Sequence, residues 1–177
     1  MMIKKRSSKE LITEAFKTLL RKKSFDQITV GDILETSGIS RTTFYKFHYS
    51  KEALLLDLFH HEIMDDGFDY SKPLWQREAT ALEQLCQDKM LYLHALEVPS
   101  LQTAWTEWAY RCVYGFYQTD RVAPEDFEFV CRMAAAGFVH INQQYLNGAY
   151  ACSPEEIGRR FETSIEQMLL GFAKPEA

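Results

Sequence analysis

Apolar residues recur every third or fourth position through most of the chain, and no stretch alternates apolar with polar. That spacing predicts helices and no strands, so the expected fold class is all-α. Near the start, Leu11, Ala15 and Leu19 run beside Ile12, Phe16 and Leu20 as one stripe, with Lys9, Glu14, Lys17 and Arg21 off it. Ser7 or Ser8 can cap this first helix, which is expected to reach Lys23. Ser24 to Gln27 then breaks the pattern. Thr29 opens a short second helix, and Asp32 completes a Thr-x-x-Asp capping signature. Its inward residues are Val30, Ile33 and Leu34, and Gly38 ends it. Ser40 caps a third helix, Arg41 to Phe47. Ser50 caps a fourth, with Ala53, Leu54 and Leu58 inward. Two short helices joined by a glycine-containing turn make a helix-turn-helix arrangement.

Beyond Asp66 the residues Gly67 to Pro73 read as a linker. Long helical patterns follow: Leu74 to Glu97, Ser100 to Gln118, and Pro124 to Asn147 with Gly148 as its stop. Ser153-Pro154-Glu155-Glu156 is a helix start, with serine capping, proline in the first turn and glutamate reaching back. The helix it opens runs to Phe172. The expected organisation is a three-helix head over residues 1–51, a connecting fourth helix over 50–66, and a larger helical body over 67–177.

The 177 residues are 46% apolar and 25% charged, enough for a sizeable core and ordinary for a globular protein. No apolar run approaches the roughly 20 residues that span a bilayer, and the basic start has no apolar segment behind it. A cytoplasmic location and no membrane partner are therefore expected. Cys86, Cys112, Cys131 and Cys152 are irregularly spaced, which suits buried thiols better than zinc ligation or disulfides. No Ser-His-Asp set, glycine-rich phosphate loop or HExxH is present, so no enzyme, cofactor or metal is expected. His61 and Asp65 sit four apart and could chelate, but an exposed helix face explains them more simply. Charge is uneven. From Met1 to Lys51 eleven basic residues face five acidic ones, net +6, while the remainder is net −11. A basic head on an acidic body suits contact with a polyanion at one end.

Ile28-Thr29-Val30-Gly31-Asp32-Ile33-Leu34, Ser37-Gly38-Ile39-Ser40-Arg41-Thr42-Thr43-Phe44-Tyr45 and Ser50-Lys51-Glu52-Ala53-Leu54-Leu55 follow one another in order. Together they resemble the TetR family of bacterial regulators. The likeness covers the first third of the chain, with the helix layout and the Ser153 opening in support. One departure stands out. The family usually carries Tyr-x-His-Phe after its recognition helix, whereas Tyr45-Lys46-Phe47-His48 exchanges the last two.

A reading helix must present its leading residues to base edges while flanking groups grip phosphate. Thr42 stands at the start of that helix as a further DNA-binding candidate; Arg41 and Thr43 are expected to face bases or their nearest phosphates, Tyr45 and Lys46 the backbone, and Lys51 and Thr29 phosphate at helix starts. Lys4, Lys5 and Arg6 could form a trailing arm. His48 is expected in the core. The resemblance implies a ligand-responsive regulator, in the commoner family mode a repressor, bound to a palindromic operator as a homodimer and released by a small-molecule effector. It implies dimerisation through the last two helices, with Phe138, Ile157, Phe161, Ile165 and Met168 as candidates. It also implies an effector cavity, for which the aromatic and polarisable residues Met90, His94, Trp105, Trp108, Cys112 and Met133 are candidates, although such a stripe also suits plain core. The alternative is an adaptor that keeps the head but acts through protein contacts without DNA.

Overall fold

The computed structural model describes residues 6–64 and 71–174. Its helices are α1 (Ser8–Leu20), α2 (Val30–Ser37), α3 (Arg41–Phe47), α4 (Lys51–Phe59), α5 (Leu74–Gln87), α6 (Lys89–Ala95), α7 (Pro99–Phe116), α8 (Pro124–Leu146) and α9 (Pro154–Phe172). No strand occurs among the described residues, so the fold is all-α, as the periodicity predicts. A 3-10 turn at Phe25–Gln27 precedes α2, and α4 runs on into a π-helical turn, His60–Met64. No described helix is long and apolar enough to cross a membrane. Lys4 and Lys5 of the expected arm, Asp65 of the chelating pair and residues 67–70 of the expected linker lie outside the described residues.

Helix starts follow the sequence closely. Ser7, Thr29 and Ser153 each accept a hydrogen bond from the backbone N–H three residues on, and the Glu10, Asp32 and Glu156 carboxylates accept one from the cap residue's own N–H. Each box satisfies two amide donors that a helix start leaves open. Gly38, at φ 69, ends α2 in the left-handed region, where a Cβ is strained.

The chain divides into two compact units, Met1–Asp66 with Asp88–Leu101, and Gly67–Gln87 with Gln102–Ala177. The first unit differs from expectation by gaining residues 88–101. The helix expected from Leu74 to Glu97 is broken at Asp88, whose backbone sits at φ −132, ψ 48. Arg21 Nε donates to both Asp88 carboxylate oxygens at 2.9 Å, and His94 Nδ1 lies 2.6 Å from the Leu20 carbonyl. These contacts fasten α6 beside α1. Ile12, Phe16, Leu20, Ile28, Ile33, Phe44 and Leu54 are fully buried in this unit.

In the second unit α5 packs along α9, and α8 packs on both. The closest approach is at Gly158 of α9, where a Cβ would lie 2.2 Å from the carbonyl oxygen of Trp75. That oxygen is backbone within α5 and cannot step aside. Gly158→Ala is therefore expected to destabilise this unit by about 2 kcal/mol, read as a lower melting temperature. An unchanged melting temperature would show that the helices are not this close. Trp105, Phe138 and Phe161 form the aromatic centre, with ring centroids 5.4 Å and 5.8 Å apart in sequence.

Candidate nucleic-acid interface

Ser40 starts α3 by accepting a hydrogen bond from Thr43 N–H at 3.2 Å. Phe44, wholly buried, anchors the helix inward, and its ring meets the His48 ring 6.0 Å away. With α3 held at that point, Arg41, Thr42, Tyr45 and Lys46 are all exposed. They stand at spacings of one and four, and so share one helical face. Thr43 is half-buried, its Oγ1 2.9 Å from Ser40 Oγ. Two cations, hydroxyls and a phenol thus stand on the outer side of a short rod. This is the donor set that reads base edges and grips phosphate.

The flanking positions behave differently. Lys51 Nζ donates to the Phe25 and Ile28 carbonyls, both at 2.8 Å, and stands 4.1 Å from the centroid of the Phe25 ring. Its ammonium ties the start of α4 to the segment before α2, rather than pointing outward as expected. Thr29 is exposed, but its hydroxyl accepts from Asp32 N–H at 3.1 Å. The Asp32 carboxylate sits at that helix start, held down to about 2 by the Thr29 backbone N–H and by Lys23. An anion therefore already occupies the α2 N-terminus that had been expected to meet phosphate. Arg6 is exposed.

The family profile for bacterial regulatory proteins of the tetR family matches residues 12–58, which include α2, the turn and α3. Over that stretch, the first third of the chain, the sequence is similar to the TetR family. It is 31% identical over 94 residues to the HTH-type dhaKLM operon transcriptional activator DhaS of Lactococcus lactis subsp. lactis (strain IL1403), covering 51% of this chain and 49% of that protein. It is 49% identical over 53 residues to the HTH-type transcriptional regulator EthR of Mycolicibacterium smegmatis (strain ATCC 700084 / mc(2)155), covering 29% of this chain and 24% of that one. The matched stretches thus span half or less of these curated relatives. In fold, it superposes on a TetR transcriptional regulator from Streptococcus agalactiae 2603V with a TM-score of 0.68 at 22% identity, covering 89% of this chain and 93% of the other.

Within this TetR-like head, the exchange of histidine and phenylalanine has a structural consequence. His48 is 4% exposed, whereas Phe47 is 43% exposed. His48 Nε2 has no hydrogen-bond partner among the described residues. Burial pushes its pKa below the ordinary 6.5, and Lys9 adds to that, while Asp57 opposes it. The unfolded chain takes up this proton near pH 6.5, and the folded head only at lower pH. The head is therefore at full stability above about pH 6.5 and loses stability as the pH falls below it. His48→Phe is expected to remove that part of the acid sensitivity and raise the melting temperature. Melting curves between pH 8 and pH 5 check this, and parallel curves for both proteins would contradict it.

The expected effector residues are divided between the two units. Met90 and His94 lie in the first unit, and Trp105, Trp108, Cys112 and Met133 in the second. Trp105 is fully buried against Phe138, and Trp108 lies 6.4 Å from the same ring, so both contribute to core packing. Burial pushes the Cys112 thiol up to about 12, which keeps it protonated and inert. What periodicity did not signal is a buried polar pair in this unit. Asn142 Nδ2 donates to Glu78 Oε1 at 2.7 Å and to the Phe138 carbonyl at 2.8 Å. Glu78 is 2% exposed.

Of the expected dimer residues, Phe138, Ile157, Phe161 and Ile165 are buried within their own chain, because the α9 stripe faces α5 and α8. Met168 is half-buried. An open groove of about 270 Å³ runs between α8 and α9, with Met133, Gly137, Ile141, Phe161, Ile165 and Met168 among its walls. Phe129, Met133, Tyr150, Leu170 and Phe172, all on α8, α9 or their connection, are exposed apolar side chains.

Proposed function

We propose that this chain is a homodimeric, DNA-binding transcriptional regulator whose α3 enters the major groove of a palindromic operator. The observation that carries the reading is the outward face of α3: Arg41, Thr42, Tyr45 and Lys46 exposed on a helix anchored by Phe44. Arg41 and Thr42 face base edges, while Tyr45 and Lys46 hold the backbone; Lys51 is assigned to tying α4 to the head. The exposed apolar side chains on α8 and α9 support pairing with a second copy. Two-fold pairing places two copies of α3 in successive major grooves, about 34–36 Å apart or a multiple of that.

A small-molecule effector held in the second unit would act by preferring one conformer of the dimer, and so shift the population toward or away from DNA binding. Release of repression is the first reading of the sign. The curated relative named as an activator favours a second, in which the regulator switches transcription on. A reporter fused to the target promoter separates the two, since deleting the regulator raises output in the first case and lowers it in the second.

The test of DNA reading is selection of bound duplexes from a random library, followed by anisotropy titrations at several salt concentrations. A paired-half-site sequence and affinity that falls steeply with salt are expected. Failure to enrich any sequence would leave the protein-contact adaptor as the better account.

A further inference from the structure

The first unit exposes four large apolar side chains among the described residues, Tyr45, Phe47, Tyr49 and Met90. Three of them fall within five positions at the trailing end of α3. Tyr49 is 80% exposed, the most of any large apolar residue described. A solvent-facing aromatic cluster on a small unit is a contact surface more often than an accident. Its geometry is ordered. Phe47 is four residues after Thr43, so it extends the Thr43 edge of α3. The backbone at His48 is extended, φ −138 and ψ 123. His48 turns into the core, while its chain neighbours Phe47 and Tyr49 are both exposed. Phe47 and Tyr49 thus bound the trailing, Thr43 side of the exposed arc of α3 that carries Arg41 and Lys46.

We propose that Phe47 and Tyr49 pack on the sugar edge of the duplex strand that borders the reading helix. This deepens the DNA-binding reading above and rests on it. A helix seated in a major groove about 12 Å wide has a sugar–phosphate ridge along each side. Phe47 has no donor or charge, so it can meet the ridge only through deoxyribose carbons. Tyr49 offers the same ring surface and an O–H that donates to a phosphate oxygen. The patch is continuous with the proposed DNA face, and Lys46 next to it draws the polyanion to this side. Apolar contact releases no counterions. The patch therefore contributes a part of the affinity that salt does not screen, unlike the contribution of Lys46.

The experiment uses the full chain and the duplex selected above. Phe47→Ala with Tyr49→Ala is expected to weaken binding about tenfold at every salt concentration, with the parental slope of log affinity against log salt. Lys46→Ala is expected instead to flatten that slope by about one unit. Tyr49→Phe should retain most of the affinity. Tyr49 is 80% exposed, so Tyr49→Ala alone should weaken binding without moving the melting temperature, which separates lost contact from lost folding. Binding within twofold of the parent for the double variant would overturn the proposal. So would a loss that disappears at high salt, or a sedimentation shift showing that the patch holds two copies together. If Lys46→Ala weakens binding and the aromatic variants do not, the inference fails alone; if the parent enriches no duplex, the DNA reading fails and takes this one with it.

Discussion

Replacing Arg41 and Lys46 together with alanine is expected to lower operator affinity about a hundredfold at moderate salt while leaving the fold intact. Both side chains are exposed on α3, and neither contributes to the core beneath it, which rests on Phe44, Ile33 and Ile28. Their losses should differ in kind. On the proposed reading Lys46→Ala removes a phosphate contact, so it should weaken binding to every duplex and flatten the salt dependence. On the same reading Arg41→Ala removes a base-edge donor pair, worth about 1–3 kcal/mol of discrimination, so its main effect should be on which sequences are preferred. Competition titrations with matched and mismatched duplexes distinguish the two. Undiminished affinity in the double variant would move the protein to the adaptor class.

Glu78→Gln should stabilise the second unit by about 3 kcal/mol at pH 7. Burial pushes the Glu78 carboxyl up to about 8, only partly offset by the Asn142 hydrogen bond. The unfolded chain ionises this group near its ordinary 4.5. Between those values the folded state binds the proton more tightly, so stability is in full below about pH 4.5 and is lost as the pH rises toward 8. Glutamine keeps the acceptor for Asn142 and cannot ionise. Its melting temperature should therefore change little over that range, while the parent's falls. The dependence is opposite in sign to that of His48, which weakens the head on acidification. Calorimetry across pH 5 to 8 resolves both. Equal slopes for Glu78→Gln and the parent would show that the carboxyl reaches solvent or a counter-charge.

The head was legible because its signals are local. Capping residues, Gly38 and the inward stripe each act within a few positions, and the expected Thr29–Asp32 box forms, as does a Ser7–Glu10 box where only a serine cap was expected. Less legible were features set by partners distant in sequence. The Leu74 to Glu97 pattern keeps its apolar spacing through Asp88, so nothing local announces the break or the Arg21 contact made 67 positions away. Lys51 carries the same charge whether it meets phosphate or two carbonyls, and its spacing cannot choose. The α9 stripe likewise looks the same facing a neighbouring helix or a second chain, and the structure buries Ile157, Phe161 and Ile165 against its own α5 and α8. The exchanged pair is the instructive case. The departure at Phe47 and His48 was visible as letters, and His48 lies in the core as expected, with Phe47 left 43% exposed.

The central claim is that the exposed face of α3 lies against bases. A photo-reactive amino acid in place of Thr42 tests it most directly, with a second placed at exposed Glu128 on α8 as the control. Irradiation with the selected duplex should cross-link position 42 to bases at two places, about 10–10.5 base pairs apart or a multiple of that, and position 128 to none. Cross-links from position 128 alone, or none from either, would contradict the account.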